Sequence, residues 1–376
     1  MLRRAPLIAL AALATSLAAA CGSDAPAEAP PLSDAALAAV TKDAGAPREE
    51  LARAVDTVFA DEGLGETRAL VVMHEGKVAA ERYAAGYDAK TRFVSWSMAK
   101  TVTAVMIGML VADGRLRLDE PAPVPRWQRP GDARGEITLR QLLQMRSGLE
   151  HEEAGDPPYE SSEVRMLFLD GRDDMADYAT AQPLEAEPGE SFEYSSNTTV
   201  ILADIAARAL TDSKAPEARR KAVGDYLRAR LFEPLGMTSV VPEFDRSGTL
   251  IGGSLMHATA RDWAKFGEFL RTKGSVGGEQ VVPRSWIEAM VTPSPASPHY
   301  GLQTWLNRPL EGGKEHPLFP DTAPRSLFAA IGHMGQYVLV SPEQGLTVVR
   351  LGHSDAPQRR VLLGRLAELV ALYPAR

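Results

Sequence analysis

Apolar positions along the 376-residue chain change period several times, and each change predicts an element. From residue 47, P-R-E-E-L-A-R-A-V-D-T-V-F-A places Leu51, Val55, Val58 and Phe59 at i, i+4, i+7 and i+8. That is one face of a helix, with Pro47 at its first helical position. R-A-L-V-V-M-H-E-G-K-V-A-A-E-R-Y at 68–83 is two β-type runs joined across Glu75-Gly76, a hairpin signal. Y-V-L-V-S-P-E-Q-G-L-T-V-V-R-L at 337–351 repeats strand, turn, strand, and an amphipathic helix, R-R-V-L-L-G-R-L-A-E-L-V-A-L-Y, closes the chain. Between these ends helical patterns dominate, at 137–145, 199–210, 223–232 and 260–270.

Strands at both termini with helices between them predict a mixed α/β fold of the α+β kind. An antiparallel sheet is formed from the two chain ends, flanked by helices, with a large, mainly helical lobe inserted over roughly 115–260. A cleft between sheet and lobe is the expected binding site. The folded part is read as 47–376, about 330 residues, more than one core usually holds, so a large insertion or two lobes is expected. No internal repeat is visible.

The first residues, M-L-R-R-A-P-L-I-A-L-A-A-L-A-T-S-L-A-A-A-C, have the two arginines, apolar stretch and small residues of a secretory signal, read as 1–20. The chain's one cysteine, Cys21, follows directly, as in a lipoprotein signal where the thiol is lipidated. An ordinary cleavage site beside an incidental cysteine is the alternative. Either reading predicts export, with a lipid anchor to the membrane in the first case and a periplasmic or secreted protein in the second. Residues 21–46, rich in Ala and Pro, read as the lipidated cysteine and a flexible tether. With a single cysteine no internal disulfide can form, so stability rests on the core. The formal charge of -8 and the lack of basic clusters argue against nucleic acid as a partner. Other apolar runs fall short of the roughly 20 residues a bilayer span needs.

Within F-V-S-W-S-M-A-K, Ser97 and Lys100 stand three apart at the start of a wholly apolar helical run. Positions i and i+3 share a face, so the amine reaches the hydroxyl. A serine needs a neighbour to accept its proton, and a lysine whose pKa is lowered by burial serves. The helix N-terminus adds N–H groups for a developing oxyanion. Ser95 is the rival nucleophile, but three residues after it stands Met98.

A second constellation is P-G-E-S-F-E-Y-S-S-N-T-T at 188–199, where Tyr194 precedes a helix-capping cluster. Tyr194 is either a buried structural tyrosine or a phenol that relays protons beside a lysine. The third is I-G-H-M-G-Q-Y at 331–337, where His333 is either a turn histidine or part of a site approached closely by backbone at its glycines. No His, Cys, Asp and Glu grouping has metal-ligand spacing, and His151-Glu152-Glu153 reads as a solvated loop. No phosphate-binding glycine motif is present, so neither metal nor cofactor is expected.

In order, S-M-A-K, Y-S-S-N and H-M-G resemble the penicillin-recognising serine hydrolases. The similarity is to their class C β-lactamase-related branch, which also holds D-alanyl-D-alanine carboxypeptidases and, nearest in look, family VIII carboxylesterases and 6-aminohexanoate-dimer hydrolases. I-T-L-R-Q-L-L-Q-M-R-S-G-L, E-P-L-G-M and G-G-S-L-M-H-A-T-A-R-D-W-A-K-F-G extend the likeness over roughly 47–373. The resemblance implies a β-lactamase/transpeptidase-like fold and cleavage of a small ester or amide through an acyl-enzyme on Ser97. It makes Lys100 the base and Tyr194 the proton relay, and it builds the oxyanion hole from the N–H groups of Ser97 and Gln336, with Gly335 beside it. His333 falls where members carry lysine or histidine. Two departures stand out: Ser196 occupies the place of the usual asparagine, with Asn197 one residue later, and Lys-Thr-Gly is absent. Both argue against efficient β-lactam hydrolysis. A D-alanyl-D-alanine carboxypeptidase or β-lactamase, and a silent cleft-binding lipoprotein, are the alternative readings.

Overall fold

A computed structural model describes residues 32–310 and 316–375. Its strands in chain order are β1 (Glu66–His74), β2 (Lys77–Tyr83), β3 (Arg92–Val94), β4 (Val241–Pro242), β5 (Met256–Thr259), β6 (Ser275–Val276), β7 (Glu279–Gln280), β8 (Trp305–Leu306), β9 (Phe328–Gly332), β10 (Gln336–Ser341) and β11 (Leu346–His353). The helices are α1 (Asp34–Ala38), α2 (Arg48–Ala60), α3 (Met98–Ala112), α4 (Leu139–Leu143), α5 (Ser162–Phe168), α6 (Met175–Ala181), α7 (Ser196–Leu210), α8 (Pro216–Leu227), α9 (Ala260–Arg271), α10 (Arg284–Met290) and α11 (Ala356–Ala371).

Both expected hairpins form, and they meet: β1 pairs antiparallel with β11, Val71 opposite Val349. The sheet runs β2-β1-β11-β10-β9-β8, so the two chain ends make its centre. Glu75 and Gly76 close the first hairpin with φ of 51° and 76°, the left-handed pair that a two-residue turn matching strand twist requires. Alternate residues of β1 serve opposite faces. Leu70 and Val72 join the core under α1, α2 and α11, while Ala69 and Val71 join the core holding α3 and α9. A strand covered on both sides reads as an unbroken apolar run, which is why 69–72 shows no alternation.

The inserted lobe, α4 to α8, lies in the chain between α3 and β5. Its helices are shorter than the periodicity suggests at 137–145, where only Leu139–Leu143 is helical, started by a Thr138–Gln141 capping box. Helix α3 is buried along Met98–Leu110 on every face. Gly108 admits the Trp286 ring, whose Nε1 donates to Ala104 O at 3.1 Å.

The expectation of a tether up to residue 46 is corrected for its described part. Ala36, Val40 and Ala44 are buried, Thr41 N donates to Ala79 O at 2.9 Å, and Glu81 N donates to Ala39 O at 2.9 Å. These residues extend the edge of β2, so the folded body begins by residue 33. Alanines that look like linker composition are instead the small side chains that let a segment lie flat on the sheet. The signal and Cys21 lie outside the described residues.

Candidate active site

Helix α3 is set by its first turn. Ser95 N donates to Met256 O at 2.7 Å, and Ser95 Oγ accepts from Met256 N at 3.1 Å while donating toward the Trp96 and Ser254 carbonyls. Ser95 is therefore buried and committed to β5, which removes it as a nucleophile. Trp96 takes a left-handed φ of 46°, a costly conformation for a bulky residue, and reverses the chain into α3. Ser97 occupies the N-cap position with helical φ and makes no capping bond with its side chain. Its hydroxyl is thus left for other work.

Lys100 is 1% exposed, and its Nζ donates to Ser97 Oγ at 2.9 Å, Ser196 Oγ at 2.6 Å and Gly253 O at 2.9 Å. It stands 4.8 Å from the centre of the Tyr194 ring and 3.7 Å from Glu153 Oε1. The expectation that burial lowers its pKa is reversed. Desolvation pushes it down and the interactions with Tyr194, Glu153 and Glu163 push it up, for a net upward direction. Its three oxygen acceptors, none farther than 2.9 Å, suit a protonated amine, which donates to each.

Tyr194 sits just before α7, against Trp305 at 5.1 Å and Tyr300 at 5.9 Å between ring centres. Its hydroxyl interacts with Ser97 and Lys100, and burial raises its pKa, so it is a neutral phenol at pH 7. Ser196, the first residue of α7, accepts from Lys100 and lies 2.7 Å from Glu153 Oε1 and 2.8 Å from Glu163 Oε1. Ser196 N donates to Glu153 Oε2 at 2.6 Å, a helix N-terminus bonding a carboxylate. Burial first, then Glu163, raises Glu153 to about 7 despite Lys100.

Ser97, Tyr194, Glu153 and Glu163 line a cleft of about 490 Å³ between sheet and lobe, with Lys100 and Ser196 buried behind them. Trp96, Ile331 and Trp305 wall the sheet side, Pro158, Val164, Leu167 and Phe168 the lobe side, and Arg359 reaches its mouth from α11. His333 lines it at the end of β9, edge-on to Trp96 at 5.4 Å, and burial lowers its pKa, so the imidazole is neutral at pH 7. Strand β9 approaches the turn into α3 so closely that a Cβ on Gly332 would stand 2.3 Å from Ser95 O.

Three expected site residues are not brought in. Gln336 is buried in the β9–β10 turn, its Nε2 donating to the His333, Met334 and Gly352 carbonyls and its Oε1 accepting from Gly352 N at 3.0 Å. It clamps the turn and does not line the Ser97 cleft, whereas Gly332 and His333 do. Gly335 turns the chain with φ of 79°, and its carbonyl accepts from Arg350 Nη1 at 2.9 Å, away from the cleft. Asn197 points into the packing around α7, where its amide has no hydrogen-bond partner among the described residues.

Glu153 and Glu163 were missed. The His151-Glu152-Glu153 segment is no solvated loop: His151 is 3% exposed, with Nδ1 3.3 Å from Thr198 Oγ1 and Nε2 3.2 Å from Ala179 O. Inward positions alternate, Leu149, His151 and Glu153, with Glu150 and Glu152 outward. That period of two is the signal that places Glu153 with its buried neighbours. Glu163 gives no such sign, since an acid in a helix's first turn is ordinary dipole complementarity.

Among the described residues there is no cluster able to hold a metal ion, and no helix is long and apolar enough to cross a membrane. The chain matches the model of the Beta-lactamase family over residues 60–372. A 6-aminohexanoate-dimer hydrolase of Paenarthrobacter ureafaciens is 27% identical over 306 residues, covering 78% of this chain and 74% of that protein. Among solved structures, a family VIII carboxylesterase is similar with a TM-score of 0.62 at 16% identity, over 85% of this chain and 96% of that one. A penicillin-binding protein homologue from Caulobacter crescentus gives 0.60 at 17% identity, over 89% and 97%.

Proposed function

The chain belongs to the beta-lactamase family, and we propose that within it the protein is a serine hydrolase that cleaves an ester or amide bond through an acyl-enzyme on Ser97. The observation that carries this reading is the uncapped Ser97 hydroxyl 2.9 Å from the buried Lys100 amine at the floor of a cleft. Once Lys100 has given up a proton, it takes the Ser97 proton as Oγ adds to the carbonyl carbon. The oxyanion is met by the Ser97 N–H at the start of α3, with the end of β9 facing it. Tyr194, neutral and within reach of both groups, passes the proton to the departing alcohol or amine, and water reverses the sequence.

The aliphatic and aromatic walls favour a substrate with an apolar chain on each side of the scissile bond. A neutral His333 supplies no fixed charge at that position, which separates this site from one built for β-lactam carboxylates. The likeness to a 6-aminohexanoate-dimer hydrolase supports linear amides beside esters as substrates to test. We further propose that the enzyme works after export, anchored through Cys21. In that case only residues 22–31 separate the anchor from the first described residue, a reach of roughly 35 Å when fully extended.

The test is turnover of p-nitrophenyl esters and short linear amides by the wild type and by Ser97→Ala. Loss of at least 100-fold in kcat/KM is expected, and a near-native rate in the variant would overturn the assignment.

A further inference from the structure

The site as drawn leaves one question: what removes the proton from a lysine that rests charged. The answer lies in the contacts of Ser196. Its single hydroxyl proton cannot serve both carboxyl groups, yet Glu153 Oε1 and Glu163 Oε1 stand 2.7 and 2.8 Å from the same Oγ while Lys100 Nζ donates to it at 2.6 Å. All three contacts are hydrogen bonds only when one of the two carboxyls is itself protonated. Two carboxyl groups sharing one partner do not both ionise readily.

We infer that Ser196 and Glu153 form a proton relay that takes the proton from Lys100, with Glu163 the protonated carboxyl that leaves Glu153 free to accept. The inference deepens the proposed function and rests on it. In the transfer, the N–H bond of the Lys100 ammonium breaks and its proton joins Ser196 Oγ, while the Ser196 proton moves to Glu153 Oε1. Ser196 ends unchanged, Glu153 is a neutral acid and Lys100 a neutral amine, so charge balances. The heavy atoms need not move. A charged Lys100 donates to Ser97, Ser196 and Gly253 O; the transfer leaves the Nζ lone pair toward Ser196, and rotation about the Cε–Nζ bond turns it to accept from Ser97 while an N–H stays on Gly253 O. The second arrangement is the one that activates the nucleophile. Glu153 acts through Lys100 and not on the substrate, which makes it a positioning residue.

Every element around the relay contributes. Lys100 comes from α3, Glu163 from α5, Tyr194 and Ser196 from the start of α7, and Ser254 Oγ donates to Glu163 Oε1 at 3.2 Å. Burial first, with Glu153 a smaller contributor, holds Tyr300 neutral, and His333 and Arg359 line the same cleft. The raised value of Glu153, about 7, is consistent with a receiving group matched to a neutral-pH reaction.

The experiment is the pH dependence of kcat/KM for a p-nitrophenyl ester between pH 5 and 10, in wild type, E153Q, E163Q and S97A, with thermal melts to confirm folding. Below the acidic limb Glu153 is already protonated from solvent and cannot accept. E153Q removes the acceptor, so the limb should move up by at least one pH unit, toward the lysine's own ionisation, with at least a tenfold loss at pH 7. E163Q keeps a neutral donor where the protonated Glu163 stood, so the limb should stay within about 0.3 pH unit. A limb that moves only with Glu153 is not produced by a merely structural role. A limb unmoved in folded E153Q overturns the relay while S97A still confirms the nucleophile; if E153Q does not fold, a limb raised by a unit or more in E163Q does the same. A near-native rate in S97A overturns the proposed function, and the relay with it.

Discussion

His151 offers a quantitative test of how the site is held in place. It is 3% exposed, and burial lowers its pKa from 6.5 to about 4, only partly offset by the Ala179 carbonyl. In the unfolded chain the imidazole titrates near 6.5. The folded state therefore binds fewer protons than the unfolded one through this window, and the stability present above pH 6.5 is lost as pH falls toward 4. Each pH unit between the two values is worth about 1.4 kcal/mol, so full titration costs the fold about 3 kcal/mol. Between pH 7 and 4.5 the loss from this residue alone is about 2 kcal/mol. His151→Gln retains a donor for Ala179 O and an acceptor for Thr198 but cannot charge. Urea unfolding of both proteins at pH 7 and pH 4.5 isolates the effect from other titrating groups. The wild type should lose about 2 kcal/mol more than the variant over that interval. Equal losses would refute the claim that a neutral, buried His151 anchors the segment that carries Glu153 into the cleft.

Two glycines give further tests. Gly332→Ala places a Cβ 2.3 Å from Ser95 O and 3.0 Å from the Gln336 Cβ, so β9 must retreat from the nucleophile turn; ester kcat/KM should fall by at least 100-fold with only a modest change in melting temperature. Gly108→Ala drives a methyl to 2.2 Å from Trp286 Nε1, and the overpacked α3–α10 contact should lose about 2 kcal/mol in urea unfolding while kcat/KM at 25 °C stays within threefold.

The contributions of sequence and tertiary structure divide along the range of the interactions. Ser97 and Lys100 were legible because three residues along a helix is a fixed distance, whatever surrounds it. The hairpins were legible for the same reason: Glu75-Gly76 and the β-type runs beside it are local. Ordered motifs also placed Tyr194 near that pair, before any contact was seen. Sequence could not place Gln336, because one residue around a β-turn decides whether a group faces the cleft or the turn's own interior, and Gly335 failed on the same account; Asn197 failed because one step along α7 takes a side chain from the site into the helix packing. It misread 32–46 as linker because composition records polarity and size, not the sheet edge those alanines meet.

The charge state of Lys100 was beyond sequence altogether. Burial alone argues for a neutral amine, and an apolar helix is all that the local sequence shows. The fold brings Glu153 from 53 residues further along the chain and Glu163 from the start of α5, joined through Ser196. Electrostatic energy depends on distances across the cleft, and only the closed fold sets them. The sequence by itself determined that a serine and a lysine would meet; the tertiary structure decided where the lysine's proton can go.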